Sequence, residues 1–281
     1  MTLLRKLFDF FVFSSLYISL CAVLMVYQTH ALLLHNKPAF IVSAFVFFST
    51  MCSYNFHWYL TPASQSFSRR IQWAQKSRSW HLALYFIGLT GTAICFFPIR
   101  QHWLALLFVS FVTFLYSAPK IPLPFFAKLK KVAIGKTLFL AFVWTFATTL
   151  LPIFIAGQTI QPVFWIFAAG RFGLIYAICI LFDYRDREDD KHDGIRSMVT
   201  YFGEKGINVL FIISLCLFTA ATLALAWYGY SNRTIILLLV PGLILLVLYA
   251  HAKKNFSDYL YYFVLDGLMM LSGPLMLIFG I

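Results

Sequence analysis

Charge is scarce in this sequence, and negative charge is scarcer still. Charged residues make up 11% of the 281 residues, and only 10 residues are Asp or Glu. A soluble domain is about a quarter charged and about half apolar, whereas this chain is 61% hydrophobic. The mean hydropathy is +0.81. This composition excludes a soluble enzyme and a disordered chain, and it indicates an integral membrane protein.

Cysteine is also sparse and follows no pattern. The five cysteines are scattered singly through apolar blocks, at Cys21, Cys52, Cys95, Cys179 and Cys216. They show neither the paired spacing of a metal site nor the density of a disulfide-linked scaffold. We therefore interpret them as small core residues.

The apolar residues come in blocks of about 20, the length that a helix needs to cross a hydrocarbon core of about 30 Å. Nine such blocks are present, near residues 9–34, 38–58, 79–98, 101–118, 132–156, 161–183, 206–228, 233–251 and 258–280. The predicted fold class is all-α. We expect a polytopic membrane protein whose nine transmembrane helices form two four-helix halves plus one helix around a central cavity.

The basic residues predict the orientation of the chain. Most of the 22 Lys and Arg residues fall at the N-terminus or in the loops after predicted spans two, four, six and eight. Loops rich in Lys and Arg stay on the cytoplasmic side of a membrane. We therefore expect a multi-pass protein of the cell (inner) membrane with its N-terminus in the cytoplasm and its C-terminus outside. Anionic membrane lipids explain the net charge of +12, so we expect no nucleic-acid partner.

A faint internal repeat divides the chain. Predicted span four ends in Leu-Tyr-Ser-Ala-Pro-Lys at 115–120, and predicted span eight ends in Leu-Tyr-Ala-His-Ala-Lys at 248–253. The Leu, Tyr and Lys residues match in register. We expect one domain over residues 1–281, with pseudo-repeats at about 1–130 and 131–255 and an extra helix at about 256–281.

Most of the ten acidic residues cluster where predicted span six leaves the membrane. Asp183, Asp186 and Asp190 would share one face of a continued helix, because each residue turns the helix by about 100°. Three carboxylates on one face suit a hard divalent cation such as Mg²⁺. The interleaved Arg185 and Lys191 could hold a phosphate directly. The alternative is a solvated, charge-balanced loop, which is the commoner role of a mixed charge run.

This acidic segment resembles a known family motif. Residues 182–190 read Phe-Asp-Tyr-Arg-Asp-Arg-Glu-Asp-Asp, and Gly194, Ser197 and Gly203 follow. The order resembles the second aspartate-rich motif of the UbiA superfamily of intramembrane prenyltransferases. The resemblance implies Mg²⁺-dependent transfer of an isoprenoid chain from a prenyl diphosphate to a lipophilic acceptor, which is either an aromatic compound or a lipid.

The resemblance also implies roles for single residues. Asp183, Asp186 and Asp190 would be the Mg²⁺ ligands. Lys120, four residues after Tyr116, matches a family lysine that contacts the diphosphate. We therefore expect Lys120 and Tyr116 to take part in substrate binding.

The sequence departs from the family pattern where predicted span two ends. In the family, a first aspartate-rich motif lies there and binds a second Mg²⁺. Asn55 aligns with the asparagine of that motif. The aspartates are missing, because no acid occurs between residues 10 and 182. We expect Asn55 to bind substrate and to face the aspartates across the cavity. His57 is either a metal ligand or, as we favour, a packing residue. Basic residues of the next loop could replace part of the lost charge; these are Arg69, Arg70, Lys76 and Arg78.

More than one function stays open at this point. We favour the enzyme, and the alternative is a catalytically degenerate relative that serves as a lipid-binding or membrane scaffold subunit. A transporter has little support, because few Gly or Pro breaks interrupt the spans. Arg171 and Asp266 are the clear mid-membrane charges. We expect them to form a structural ion pair, and a polar wall near the substrate head is the alternative.

Overall fold

Residues 3–61, 68–121, 135–192 and 198–280 are described by a computed structural model, without the side chains of Pro119, residues 189–192 and residues 198–200. Every regular element in these ranges is a helix. The predicted all-α class is therefore confirmed.

The N-terminal part of the described chain contains six helices. They are α1 (Leu3–Phe13), α2 (Leu16–Thr29), α3 (Phe40–Tyr59), α4 (Arg69–Lys76), α5 (Arg78–Phe96) and α6 (Trp103–Ser117). A π-helical turn, His30–Leu34, extends α2, and a 3-10 helix, Phe97–His102, joins α5 to α6. A second 3-10 turn, Ala118–Lys120, follows α6.

The C-terminal part contains seven further helices. They are α7 (Lys136–Thr145), α8 (Leu151–Ile155), α9 (Pro162–His192), α10 (Met198–Ala224), α11 (Asn232–Ala252), α12 (Asp266–Leu268) and α13 (Ser272–Ile278). The π-helical turn Phe146–Leu150 joins α7 to α8, and a second one, Leu260–Leu265, leads into α12. The 3-10 turn Leu225–Tyr228 extends α10.

Seven described helical segments are long and apolar enough to cross a membrane, or eight if the bent C-terminal pair forms one span. The longest segment, Arg78–Ser117, has 40 residues. At about 1.5 Å per residue it is about twice as long as a hydrocarbon core is thick. A single crossing therefore cannot account for its length.

The ends of this long segment show that it reverses direction. His81, near the start of α5, places Nδ1 2.6 Å from Asn55 Oδ1 of α3. Tyr116, near the end of α6, stacks on His57 of α3 with ring centroids 5.1 Å apart. Both contacts lie at the same end of α3, so α5 and α6 run in opposite directions. This reversal favours nine crossings, although the count of nine stays a prediction.

The first span begins later than the sequence indicated. The predicted span ran from residue 9, but α1 and α2 are separated at Ser15, whose φ of 70° is left-handed. The apolar segment that can cross a membrane is Leu16–Leu34. The expected start is therefore wrong, because a local backbone turn divides a continuous apolar run.

The last span is broken. The segments Leu260–Leu268 and Ser272–Ile278 meet at an angle of 59°. Pro274, near the start of α13, has no amide hydrogen to bond to the carbonyl group four residues earlier, which favours a bend at this point.

Two glycines let helix backbones touch. A Cβ atom at Gly88 of α5 would lie 2.6 Å from the backbone nitrogen of Cys52 in α3. A Cβ atom at Gly173 of α9 would lie 2.7 Å from the carbonyl oxygen of Ser214 in α10. Small residues allow this close approach between membrane helices. One such contact lies in each half of the chain.

Arg171 is buried in the bundle, and the ion pair expected with Asp266 is wrong. The guanidinium instead donates hydrogen bonds to neutral oxygens of Met25, Gln28, Thr29, Thr148 and Thr149 at 2.7–3.1 Å. Several neutral acceptors therefore satisfy the cation, because a guanidinium has five donors in a planar fork.

We expect Gly88→Ala to destabilise the protein, because the new methyl group would overlap the α3 backbone. Overpacking of this kind costs about 1–3 kcal/mol. The control is Gly135→Ala, since a Cβ atom there meets no atom of the described residues within 4 Å. Unfolding temperatures in one detergent measure the difference. Equal unfolding temperatures for the two variants would contradict the close contact.

Arg171→Lys is also expected to destabilise the protein. A single ammonium group cannot bond to all the oxygens that the fork reaches, and each lost hydrogen bond to a charged group is worth about 1.5–3 kcal/mol. Arg233→Lys is the control, because Arg233 is exposed at the start of α11. Thermal unfolding of both variants tests this expectation. A wild-type unfolding temperature for Arg171→Lys would show that the charge alone suffices.

Candidate functional site

Aromatic and charged side chains meet at the end of the bundle where α3 and α6 end and α7 begins, which we name the basic end. Thr137 of α7 donates a hydrogen bond to Asp183 of α9. The neighbouring Lys136 places its ammonium 5.6 Å from the Tyr116 ring centroid. Tyr116 in turn stacks on His57. These contacts join α9 to α7, α7 to α6 and α6 to α3.

The contacts continue from α3 back to α9. Trp58, next to His57, packs edge to face on Tyr262 with centroids 5.9 Å apart. Arg185 Nη2 donates to the Tyr262 hydroxyl at 2.8 Å, and Arg185 is two residues beyond Asp183. The contacts therefore close into a ring, which we name the head ring. Its members are Asp183, Thr137, Lys136, Tyr116, His57, Trp58, Tyr262 and Arg185.

Cations lie against the aromatic members of the head ring. The Arg70 guanidinium is 4.1 Å from the Trp58 centroid, and the Lys120 ammonium is 5.6 Å from it. The Arg185 guanidinium is 4.8 Å from the Tyr262 centroid. Each such contact is worth about 0.5–1 kcal/mol when exposed and about 2 kcal/mol when desolvated. The ring faces therefore stabilise the positive charges that gather here.

The predicted metal ligands lie at the basic end where they are described. Asp183 is half-buried, and Asp186, 51% exposed, accepts a hydrogen bond from Arg185 Nε at 2.8 Å. The side chain of Asp190 lies outside the described residues. Among the residues that are described, no group of three or more His, Cys, Asp or Glu could hold a metal. Carboxylate oxygens are the ligands that Mg²⁺ prefers, and the metal site at these residues stays a prediction.

Asn55 is fully buried, and its amide is engaged inside the bundle. Its Nδ2 donates to the carbonyl oxygens of Ser14 at 3.0 Å and Met51 at 2.8 Å. His81 Nδ1 lies 2.6 Å from its Oδ1. None of these partners belongs to the head ring. The contacts give Asn55 a structural role, and its substrate-binding role stays a prediction.

The other predicted binding residues are described in part. Lys120 donates to Thr61 Oγ1 at 2.6 Å, beside the end of α3, and Tyr116 belongs to the head ring. The side chain of Lys191 lies outside the described residues. His57 stacks on Tyr116 and places Nδ1 3.3 Å from Ser117 Oγ, which are the contacts of a packing residue.

Asp258 positions Arg70. Its carboxylate accepts a hydrogen bond from Ser68 Oγ at 3.0 Å and another from the Arg70 backbone N–H at 3.1 Å. Ser68 also caps α4 by accepting from Ile71 N–H. A carboxylate at a helix N-terminus is favourable because of the helix dipole. Burial lowers the pKa of the Arg70 guanidinium to about 9, so it stays protonated at neutral pH.

Several residues of this site could not be predicted from the sequence. Thr137, Trp58 and Tyr262 belong to no recognisable motif, and Arg70 was one of four basic residues in its loop. The one pattern in the sequence that could have pointed to them is the frequent occurrence of aromatic residues near basic ones. Lipid-facing aromatic residues produce the same signal at membrane interfaces, so it could not single out these rings.

The chain is similar to known proteins in sequence and in fold. The model of the UbiA prenyltransferase family matches residues 67–259, which is more than half of the chain. No curated protein matches the chain significantly. The apo structure of a UbiA homolog from Aeropyrum pernix K1 has a TM-score of 0.56 and 13% identity, over 96% of this chain and 97% of that one. At this identity the likeness concerns the fold alone, whereas the sequence match establishes the family: the chain belongs to the UbiA prenyltransferase family.

Proposed function

We propose that the protein transfers an isoprenoid chain from a prenyl diphosphate to an aromatic or lipid acceptor inside the membrane, with Mg²⁺ as its cofactor. The head ring is the observation that supports this function. It joins an Asp183 carboxylate, which suits a hard cation, to the basic side chains that suit a diphosphate. Both kinds of group gather at one end of a bundle of long apolar helices.

The basic end faces the cytoplasm of a cell (inner) membrane in this proposal. Loops rich in Lys and Arg favour that side. Water-soluble diphosphate can leave from there after the reaction, while the prenyl chain and its acceptor stay in the apolar part of the bundle.

The departure of the diphosphate has groups to assist it. Asp183, Asp186 and Asp190 would hold Mg²⁺, which when bound neutralises charge on the leaving diphosphate. Lys120 donates charge-assisted hydrogen bonds to the same group. The carbon–oxygen bond breaks with its electron pair on the diphosphate and leaves an allylic cation. A nucleophilic atom of the acceptor then forms the new bond and releases a proton.

Two aromatic side chains, Trp144 and Tyr54, contact each other one helical turn inside the basic end. Trp144 Nε1 donates to the Tyr54 hydroxyl at 3.0 Å, and the two rings pack edge to face. Tyr54 lies one turn before Trp58 on α3, farther from the basic end. Aromatic faces stabilise cations where water is excluded. We infer that this pair lies beside the allylic cation and keeps water from it.

Asp183→Asn is expected to lower the Mg²⁺-dependent release of diphosphate from farnesyl diphosphate about a hundredfold, because bound metal supplies several kcal/mol of charge stabilisation. The amide can still accept the hydrogen bond from Thr137, so the fold should persist. Glu188→Gln is the control, since Glu188 is 66% exposed and lies 3.2 Å from Arg187 Nε. A colorimetric assay of released diphosphate measures both variants.

The unfolding temperatures of both variants should match the wild type. If Asp183→Asn keeps the rate and the Mg²⁺ dependence of the wild type, the metal role of this residue is wrong.

Lys120→Met should lower turnover about a hundredfold, the effect of losing one donor to a developing negative charge. The methionine side chain keeps the apolar packing on Trp58. Lys254→Met is the control, because Lys254 is exposed just beyond α11. Initial rates at saturating farnesyl diphosphate measure the change.

The proposed enzymatic activity is wrong if the wild-type protein releases no diphosphate from farnesyl or geranylgeranyl diphosphate with any of several acceptors. A catalytically degenerate relative that binds a lipid or serves as a scaffold subunit would then take its place.

A further inference from the structure

Two arginines at the basic end carry hydrogen-bond donors without an acceptor. Arg70 is only 2% exposed, and neither its Nε nor its Nη1 has a hydrogen-bond partner in the described part of the chain. The buried Nη1 of Arg185 likewise has none. An unpaired donor on a buried charged group costs more than an ordinary unmade hydrogen bond. The arrangement therefore favours an acceptor that comes from outside the chain.

The Arg70 side chain is held mainly by aromatic rings. Its guanidinium lies 4.1 Å from the Trp58 centroid and 5.7 Å from the Tyr262 centroid. Its one hydrogen bond, from Nη2 to Ser15 Oγ, is long at 3.4 Å. Rings stabilise the charge through their faces but leave the in-plane N–H groups unbonded.

The nearby acids do not satisfy these donors. Asp258 accepts from Ser68 Oγ and from the Arg70 backbone, and its Oδ1 is 3.8 Å from Arg185 Nη1, beyond hydrogen-bond distance. Asp186 accepts from Arg185 Nε and leaves Nη1 unbonded. Three guanidinium nitrogens on two side chains thus keep N–H groups available.

Arg70 is held in place before any ligand arrives. Asp258 fixes the first turn of α4, as described above. Arg69, the residue before Arg70, forms an ion pair with Asp9 of α1 at 3.1 Å, and Asp9 also accepts a hydrogen bond from Tyr259. A rigid donor loses little conformational entropy when it binds, which strengthens binding.

We infer that Arg70 and Arg185 form a metal-independent binding site for a phosphate or diphosphate group. A tetrahedral anion offers several acceptor oxygens to donors on two side chains, and guanidinium groups match this geometry. The inference rests on the proposed function in one respect: a prenyl diphosphate is the first carrier of the group to test. An anionic lipid headgroup and free diphosphate offer the same chemistry.

Binding without metal tests the site. Full-length protein in nanodiscs of zwitterionic lipid is titrated, in excess EDTA, with farnesyl diphosphate, inorganic diphosphate or phosphatidic acid, and binding is followed by native mass spectrometry. We expect Arg70→Gln and Arg185→Gln each to weaken binding of at least one ligand about tenfold or more, the effect of losing hydrogen bonds from a charged group. The matched control is Arg100→Gln, which removes the same charge from an exposed residue at the far end of α5 and should change affinity less than twofold.

The three ligands distinguish the source of the phosphate. Preference for farnesyl diphosphate supports a prenyl carrier, preference for phosphatidic acid supports a lipid headgroup, and equal binding of inorganic diphosphate supports a free anion. Equal affinities of Arg100→Gln, Arg70→Gln and Arg185→Gln for all three ligands would overturn the inference. So would the absence of any binding by the wild type in EDTA.

Two further variants separate this site from folding and from catalysis. Arg70→Lys keeps the charge over Trp58 but loses the planar fork, so it should fold and still bind more weakly than Arg100→Gln; wild-type affinity would count against the site. Asp183→Asn should keep metal-free binding even where turnover is lost. If Asp183→Asn abolishes binding in EDTA, the anion site assigned to the arginines is wrong, whatever the outcome for the enzyme.

Discussion

A charged group that leaves water must find partners inside the protein, and this requirement shapes the bundle at two depths. Deep in the helices, Arg171 is satisfied by neutral hydroxyl, amide and carbonyl oxygens. At the basic end, Arg70 and Arg185 lie on aromatic faces instead. Neutral oxygens complete the hydrogen bonds of a guanidinium, whereas rings stabilise its charge and leave donors available. The first arrangement stabilises a fold, and the second prepares a binding site.

The few acidic residues of the chain also fall into two groups, those that position a helix and those of the aspartate-rich motif. Asp9 and Asp258 hold the short helix α4 against α1 and the C-terminal segment. This support fixes Arg70 over Trp58. Asp183 belongs to the head ring, and Asp186 pairs with Arg185. Acids that lie far from the aspartate-rich motif in sequence therefore position Arg70 at the same end of the bundle.

The unusual feature of this family member is the end of α3. The acids that the resemblance leads one to expect after Asn55 are absent, and the segment carries His57 and Trp58 beside that residue instead. The structure uses Asn55 to join helices and uses Trp58 to carry Arg70 and Lys120. Fixed protein cations in place of a metal would make the charge at this point independent of Mg²⁺, which is the chemical basis of the arginine site inferred above.

The sequence by itself determined the membrane class, the helical fold and the family, because apolar blocks and an acidic motif are local patterns. It also marked Gly203, whose φ of 64° suits glycine. It did not determine the break at Ser15, the partners of Arg171 or the contact of Arg70 with Trp58. These contacts depend on which helix faces meet. The predicted pairing of Arg171 with Asp266 is wrong because the positions of two residues along their helices do not fix how each helix is rotated about its axis. Only tertiary packing decided which of the many basic and aromatic side chains became neighbours.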